Sequence, residues 1–349
     1  MKINNFEVGK NSTFIIAEIG SNHLCNLDLA YKHIESASKV GADAVKFQYF
    51  KAESDLANRP DNELSSEYDN YINETDYEFL KSLEIPIAWL EPLKKCADKN
   101  NIELFFSCSD TEALNEIAKI SNRIKIASCD IDNLNLLSQI KKLFDNVILS
   151  TGSADYNTIL NANNYLAENT TNKTTILYCV SEYPMLLESY DMNAIASLKS
   201  HFDNKIGYSD HAKDWQASAV ALSQGIDVLE RHFVIDKNIN SPDVCVSSDT
   251  DEFRAIVEYS NKIERKDVNS SFDVKNIFNS KRNNKLLRRS PVTKANMSAG
   301  KIINLDEVEF LRPAIGMDAF EYLNDYMGKR ISRNIKAGEY LNKLDFVDE

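Results

Sequence analysis

Residues 205–233, KIGYSDHAKDWQASAVALSQGIDVLERHF, contain the pattern that decides the fold. Residues 206–209 and 228–233 are short apolar runs typical of strands, and the apolar side chains between them repeat at helical spacing. A strand, helix, strand unit of this length predicts two parallel strands, often adjacent, about 4.8 Å apart. His211 and His232 would then lie at the same sheet edge, where two imidazoles can bind one metal ion. The alternative is two unrelated histidines, one in a turn and one packed on the sheet.

The same alternation of short apolar runs and longer amphipathic runs extends along the chain. Predicted strands cover residues 14–18, 44–48, 103–107, 124–127, 147–150, 176–179, 206–209 and 228–232. Predicted helices between them include residues 27–40, 89–99, 112–120, 134–143, 159–168 and 194–202. Eight such units in about 260 residues predict a closed (β/α)8 TIM barrel rather than an open doubly wound sheet. No Gly-x-Gly-x-x-Gly follows the first strand, which argues against a dinucleotide-binding fold.

Three further stretches divide the chain into parts. Residues 51–88 show little apolar periodicity after the second strand, and so predict a long functional or mobile loop at the carboxyl ends of the strands. Residues 266–286 are predicted to link a barrel domain over 1–265 to a small domain over 287–349. The small domain contains NMSAGKIIN from Asn296 and NIKAGEYLN from Asn334, a faint repeat that indicates short strands and turns.

Composition and charge limit the classes of partner. The formal net charge of -13 argues against nucleic acid and anionic membrane surfaces. The six cysteines include no Cys-x-x-Cys pair, so we expect reduced thiols. The first residues lack the apolar core of a signal peptide, and no run approaches the roughly 20 apolar residues of a membrane span. We therefore expect a cytoplasmic protein without nucleic acid or membrane partners.

Polar side chains follow nearly every predicted strand, at the face where barrel enzymes build their active sites. Lys46 and Lys125 lie inside apolar strands, which is costly for a charged group that has no partner. With several hydroxyls nearby, the two lysines predict a site for phosphate or carboxylate, unless both side chains extend outwards to solvent. Carboxylates near the two histidines favour Mn²⁺ or Mg²⁺, with Zn²⁺ or Co²⁺ as alternatives.

Seven motifs in chain order resemble those of the sialic acid synthases: FIIAEIGSNH, GADAVKFQ, KIAS, ILSTG, YP, IGYSDH and VLERHF. The segments RRSPVTKANMSAGK, FLRPAIG and NIKAGEYL resemble the C-terminal antifreeze-like (SAF) domain of the same family. The resemblance implies a TIM barrel followed by a small β-rich SAF domain. It also implies the condensation of phosphoenolpyruvate with an acylated amino-hexose to give a nine-carbon acid and phosphate.

The resemblance implies roles for individual residues. His211 and His232 match the metal ligands, with Mn²⁺ as the first choice and Mg²⁺ or Co²⁺ as alternatives. The residues matched to the phosphate and carboxylate of phosphoenolpyruvate are Lys46, Lys125, Ser128, Ser150, Ser181 and Ser209. The residues matched to the sugar, the metal-bound water or proton transfer are Glu18, Gln48, Tyr183, Glu230 and Asp243. Arg312 matches an arginine that one subunit inserts into its partner's barrel to bind the acyl group, which implies a homodimer with swapped SAF domains.

Several positions depart from the family pattern and leave the acceptor sugar open. The departures are Cys108, Ser109 and Asp110 after strand three, Cys129 and Asp130 after strand four, Ser181 after strand six, and Ser241 beyond strand eight. The acceptor is therefore either N-acetylmannosamine or a 2,4-diacetamido-trideoxyhexose. Two other functions remain as alternatives: a class I aldolase that uses Lys125 as a Schiff base, and a non-catalytic protein that binds through its SAF domain.

Overall fold

Eight parallel strands close into a barrel in the computed structural model, which describes residues 13–70, 73–168, 173–191, 193–263, 274–279 and 284–347. The strands are β1 (Phe14–Gly20), β2 (Ala44–Tyr49), β3 (Glu103–Cys108), β4 (Arg123–Ile126), β5 (Asn146–Ser150), β6 (Lys173–Cys179), β7 (Lys205–Asp210) and β8 (Val228–His232). Each strand pairs with the next along the chain, and β1 pairs with β8 to close the barrel. The predicted TIM barrel is therefore confirmed.

Helices cover the outside of the barrel with their apolar faces turned inwards. Those of the barrel proper are α1 (Leu27–Lys39), α4 (Leu90–Lys99), α5 (Leu114–Ile120), α6 (Leu134–Leu143), α7 (Tyr156–Ala167), α8 (Ala194–His201), α9 (Gln216–Ser223) and α10 (Thr250–Lys262). Inside the barrel, a separate apolar layer fills the end opposite the active face. Its members are Phe14, Ile16, Ala44, Phe105, Ile148, Leu177 and Val228. Near the carboxyl ends of the strands, polar residues such as Lys46, Gln48, Ser107 and Ser150 line a cavity.

The stretch 51–88 is more ordered than the sequence suggested. It contains α2 (Ala52–Asp55), α3 (Glu74–Ser82) and two 3-10 turns, and we call it the β2 insertion. Asn73 caps α3 in a reciprocal capping box with Asp76. Ala52, Leu56 and Tyr77 form a small apolar cluster that holds the two helices together. The stretch that the sequence indicated as one long loop is therefore partly helical, because the insertion has a short core of its own.

The C-terminal part packs against the barrel and the β2 insertion. Strands β9 (Ser290–Thr293) and β10 (Val308–Leu311) pair antiparallel, isolated bridges extend the pairing, and a short α12 (Ala319–Glu321) follows. Much of the predicted linker lies outside the described residues. Within it, α11 (Val274–Ile277) is described, and its Val274 and the following Phe278 are buried in the main apolar core.

Two further predictions concern the whole chain. All six cysteines are free of disulfide bonds, which agrees with the expectation of reduced thiols. In the part of the chain that the structure describes, no helix is both long enough and apolar enough to cross a membrane.

Candidate active site

A cavity of about 250 Å³ opens at the carboxyl ends of the barrel strands. It is lined by all of the predicted site residues except Glu18 and Asp243. The predicted residues that line it are Lys46, Gln48, Lys125, Ser128, Ser150, Ser181, Tyr183, Ser209, His211, Glu230, His232 and Arg312. The strand ends from β2 to β8, the β2 insertion and the C-terminal domain all contribute, so the cavity lies between three parts of the chain.

Two lysines and two carboxylates form a buried charge layer across the barrel interior. Lys46 Nζ lies 2.6 Å from Glu18 Oε2 and 3.7 Å from Glu230 Oε1. Lys125 Nζ donates to Glu230 Oε1 at 2.8 Å, and Ser209 Oγ donates to the same oxygen at 3.2 Å. These contacts supply the partners that buried ammonium groups require. The two lysines therefore point into the barrel and not outwards to solvent.

Charge pairing decides the ionisation of this layer. Burial alone would raise the pKa of Glu230, but Lys125 and Lys46 outweigh it and hold that pKa to about 2. Burial would likewise lower the pKa of Lys46, but Glu18 and Glu230 raise it above its ordinary value. At neutral pH, Lys46 is an ammonium ion and Glu230 is a carboxylate. Glu230 therefore fits the role of a charge partner better than that of a proton donor.

Glu18 and Asp243 lie behind the cavity wall. Gln48 Nε2 donates to Glu18 Oε1 at 2.8 Å, so Glu18 contacts both Gln48 and Lys46, which do line the cavity. Asp243 Oδ2 accepts from the Ser21 amide at 2.6 Å and lies 3.9 Å from His232 Nδ1. Each carboxylate is thus placed to orient a residue that lines the cavity.

Hydroxyl groups also line the cavity. Ser128 Oγ and Ser181 Oγ lie 3.0 Å apart. Ser150 Oγ is buried and has no hydrogen-bond partner among the described residues. Gly152 leaves room for this cluster, because a Cβ there would come within 2.1 Å of Ser181 Oγ. Hydroxyls and ammonium groups together provide several donors for the oxygens of one anion.

His211 and His232 face each other at the cavity wall, with ring centroids 5.6 Å apart. His211 Nδ1 lies 2.9 Å from the Val180 carbonyl, so Nδ1 carries the proton and Nε2 keeps its lone pair. Burial, and secondarily the neighbouring His232, lower the pKa of His211 to about 3, so its ring is neutral. His232 Nδ1 is buried without a hydrogen-bond partner among the described residues.

These histidines fit a divalent metal ion. An imidazole nitrogen with a lone pair is a common metal ligand, and the buried His232 Nδ1 has no hydrogen-bond partner among the described residues. Tyr183 stacks on the His211 ring at 4.1 Å, and its hydroxyl lies 2.8 Å from His211 Nε2. Within the described ranges, no group of three or more His, Cys, Asp or Glu residues is placed to hold a metal ion. The other ligands would therefore come from water or substrate.

Some residues that line the cavity were not among the site residues predicted from the sequence. Asp55, on the β2 insertion, lines the cavity and accepts from Arg312 Nη2 at 2.7 Å. Asp130 and Cys129 also line it, although the sequence showed them only as departures from the family. Asp55 was missed because it lies in a stretch without clear periodicity. A local signal was present, since Ala52 and Leu56 flank it at helical spacing.

Arg312 lies in the cavity of its own chain, whereas the sequence predicted that it reaches a partner's barrel. The exchange of SAF domains between two chains therefore stays a prediction. What the structure establishes is that the C-terminal domain carries Arg312 and Leu287 to the cavity wall.

A closed (β/α)8 barrel with a charged cavity at the carboxyl ends of its strands is the arrangement of barrel enzymes. A model of the NeuB family matches residues 33–270, and a model of the SAF domain matches residues 288–347. The chain therefore belongs to the NeuB family and has a SAF domain at its C-terminal end.

Relatives of known name cover nearly the whole chain. The N,N'-diacetyllegionaminic acid synthase of Campylobacter jejuni subsp. jejuni is 32% identical, over 95% of this chain and 99% of the relative. The pseudaminic acid synthase of the same organism is 30% identical, over 99% of this chain and 100% of the relative. The solved N-acetylneuraminic acid synthetase of Leptospira borgpetersenii, in complex with citrate, is 31% identical with a TM-score of 0.64, over 72% of this chain and 84% of that one.

Proposed function

We propose that this protein is a nonulosonic acid synthase. It condenses phosphoenolpyruvate with the open-chain form of an N-acylated amino-hexose and releases phosphate. The observation that carries the proposal is the convergence of Lys46, Lys125, the serine hydroxyls and the two imidazoles of His211 and His232 on one cavity. The synthase activities named for the relatives support the reaction class.

The lysines and hydroxyls that line the cavity suit phosphoenolpyruvate. An ammonium group has three N–H donors, so Lys46 and Lys125 keep donors for substrate oxygens after pairing with Glu18 and Glu230. The hydroxyls of Ser128, Ser150 and Ser181 add uncharged donors. This arrangement holds the phosphate group as its negative charge grows on departure.

The chemistry balances in three steps. Carbon 3 of phosphoenolpyruvate bonds to the aldehyde carbon, whose oxygen takes up a proton and becomes a hydroxyl. Water adds to the cation left at carbon 2 and loses a proton. The C–O bond to phosphate then breaks, the hydroxyl at carbon 2 gives its proton to the departing phosphate, and carbon 2 becomes a ketone. A divalent ion on His211 and His232, which we take to be Mn²⁺ with Mg²⁺ or Co²⁺ as alternatives, would supply Lewis-acid polarisation of the aldehyde.

The Schiff-base alternative is disfavoured by the charge layer. Lys125 Nζ donates to Glu230 at 2.8 Å, and Glu230 is ionised at neutral pH. A nucleophilic lysine must be a neutral amine, usually in an apolar site or beside another cation. Trapping with borohydride in the presence of phosphoenolpyruvate and acceptor should therefore leave Lys125 unmodified.

The test combines an acceptor panel with metal removal. Purified protein is incubated with phosphoenolpyruvate and N-acetylmannosamine or a 2,4-diacetamido-trideoxyhexose, and phosphate and product mass are measured. We expect one equivalent of phosphate per nine-carbon acid, lost on chelation and restored by Mn²⁺. His211→Ala and His232→Ala should fold but bind Mn²⁺ much more weakly in calorimetry. Wild-type turnover by either variant after chelation would refute the metal assignment, and no product with any acceptor would refute the function.

A further inference from the structure

The β2 insertion contains one carboxylate that joins two arginines of the C-terminal domain. Asp55 Oδ2 accepts from Arg312 Nη2 at 2.7 Å, and Asp55 Oδ1 accepts from Arg289 Nη2 at 2.9 Å. The Asp55 and Arg289 side chains are buried, and Arg312 is nearly so. Only Asp55 and Arg312 of these three line the active cavity. Asp55 therefore sits between a cavity residue and a fully buried support.

The backbone around Asp55 holds Arg312 as well. The Arg312 amide donates to the Asp55 carbonyl at 3.2 Å, and the Ala57 amide donates to the Arg312 carbonyl at 3.1 Å. These bonds form a parallel bridge between Leu56 and Arg312. The backbone and the guanidinium group of Arg312 are thus both anchored on the same short segment.

Arg289 makes the position of Asp55 rigid. Its guanidinium group also contacts Asp130 Oδ1 at 2.5 Å and donates to the Phe310 carbonyl at 2.8 Å. A planar guanidinium group with several fixed partners has one orientation. Since Asp55 shares that group, its carboxylate can turn only by breaking a buried ion pair, which is costly.

Arg312 keeps an open donor. Arg312 Nε is buried and has no hydrogen-bond partner among the described residues. Its charge is already balanced by Asp55, so this end of the cavity suits a neutral hydrogen-bond acceptor, such as an amide carbonyl, better than a second anion.

We infer that Asp55 is a positioning residue for acceptor binding: it sets the orientation in which Arg312 meets the acyl-amino end of the sugar. This inference rests on the proposed function and gives the β2 insertion a role in it.

The chain offers a matched control for the test. Arg59 Nη2 and Glu309 Oε1 form another ion pair, at 2.7 Å, between the β2 insertion and the C-terminal domain. Neither residue lines the active cavity. Glu309→Gln therefore weakens the same domain contact without touching the orientation of Arg312.

The experiment measures the KM of acceptor and phosphoenolpyruvate separately, after the wild type has been shown to release phosphate. We expect Asp55→Asn to raise the acceptor KM about tenfold or more, with the KM of phosphoenolpyruvate within twofold. Glu309→Gln should leave both KM values within twofold, even if it lowers Tm.

Three results would overturn the inference while leaving the synthase function intact. They are an acceptor KM in Asp55→Asn within twofold of wild type, an equal rise in the KM of phosphoenolpyruvate, and an equal effect of Glu309→Gln. If Asp55→Asn does not fold, Asp55→Glu keeps the charge but moves the carboxylate by one methylene. A raised acceptor KM in that variant supports the positioning role, and an unchanged one rejects it. An inactive wild type would instead reject the proposed function.

Discussion

At the scale of single residues, the site is built from opposite charges in alternation. Lys46 lies between Glu18 and Glu230, and Glu230 lies between Lys46 and Lys125. Each charge stabilises its neighbours, which is why four buried ionisable groups are tolerated inside one barrel. The arrangement also leaves N–H donors of both lysines free to face the cavity. A phosphate group can then be bound without any large rearrangement of side chains.

Replacement of either lysine tests the anion site. Lys46→Met and Lys125→Met remove one charged donor each while keeping most of the side-chain volume. A hydrogen bond to a charged group contributes about 1.5–3 kcal/mol, so we expect the KM of phosphoenolpyruvate to rise about tenfold or more, with a lower kcat. Steady-state kinetics with each substrate varied in turn measure the effect.

The control for the lysine variants is Lys95→Met. Lys95 lies on the outer face of α4, paired with Glu91 and exposed. Lys95→Met should change neither the KM of phosphoenolpyruvate nor that of the acceptor. A rise confined to the acceptor KM in Lys46→Met or Lys125→Met would contradict the assignment of the lysines to phosphoenolpyruvate.

At the scale of elements, the loops after the strands decide the shape of the cavity. The turn after β5 is an example, since Gly152 packs against the loops that follow β4 and β6. The Cβ of any other residue at that position would lie 3.0 Å from Cys179 Sγ and 3.2 Å from Ser128 Oγ. The three loops are thus in contact only because one of them lacks a side chain.

Gly152→Ala should therefore impair the hydroxyl cluster. The added methyl group displaces Ser181, so we expect the KM of phosphoenolpyruvate to rise about tenfold while the barrel remains folded. Gly300→Ala serves as the comparison, because its Cβ meets nothing within 4 Å and its φ of +85° makes the cost one of backbone strain alone. If Gly152→Ala binds phosphoenolpyruvate like the wild type, the hydroxyls of this cluster do not hold the substrate.

Helix α1 contains a buried histidine that links stability to pH. His33 Nδ1 lies 2.8 Å from the Leu29 carbonyl, and Nε2 accepts from the Ile235 amide at 3.4 Å. Burial lowers the pKa of His33 to about 4, although the bond to Leu29 opposes the shift. Between pH 6.5 and 4, the unfolded chain therefore binds a proton that the folded chain does not. The contribution of neutral His33 to the free energy of unfolding is fully present above pH 6.5 and falls as the pH drops towards 4.

Between pH 6.5 and 4, the shifted pKa of His33 lowers the free energy of unfolding by about 3 kcal/mol. His33→Gln keeps a donor and an acceptor without the titration. We expect it to reduce the difference in Tm between pH 7 and pH 4.5, measured by thermal unfolding. His201→Gln, on an exposed turn of α8, should leave that difference unchanged. An equal pH dependence in His33→Gln and wild type would show that other groups cause the acid sensitivity.

At the scale of the whole molecule, three parts of the chain enclose one cavity. The barrel supplies the charge layer and the histidines, the β2 insertion supplies Asp55, and the C-terminal domain supplies Leu287 and Arg312. The C-terminal domain is also tied to the barrel, since Asn135 Nδ2 donates to the Val308 carbonyl at 2.8 Å. A small domain with a thin core benefits from such docking. Activity is therefore expected to depend on how that domain is placed.

Mixed dimers test whether Arg312 acts on its own barrel or on a partner's. His232→Ala and Arg312→Ala should each be nearly inactive alone. If the C-terminal domains are exchanged, a mixed dimer contains one site with neither substitution, and part of the activity should return on co-expression. If mass spectrometry detects the mixed dimer but no activity returns, Arg312 acts in the cavity of its own chain, where the structure places it.

The sequence by itself determined the barrel and the residues of its strand ends. The spacing of apolar residues predicts the strands and helices, and eight consecutive strand–helix units predict that the sheet closes into a barrel. The sequence also indicated Lys46 and Lys125 within apolar strands and the histidines at the ends of β7 and β8 as site residues. Successive side chains of a strand point to opposite faces, so a polar residue in such a strand must face either the barrel interior or the outside. The predicted strand bounds differ from the observed ones by only a few residues at either end.

Only the tertiary structure decided which side chains meet. Lys125 and Glu230 are 105 positions apart and come together across the barrel, and Asp55 and Arg312 are 257 positions apart. Such pairs depend on closure of the barrel, on the register of its strands and on docking of the C-terminal domain. The spacing of apolar residues along the chain does not determine any of these. Glu18 shows the same limit, since its position behind Lys46 and Gln48 follows from the pairing of β1 with β2. Local patterns select the elements, whereas contacts distant in sequence arise only when the elements pack.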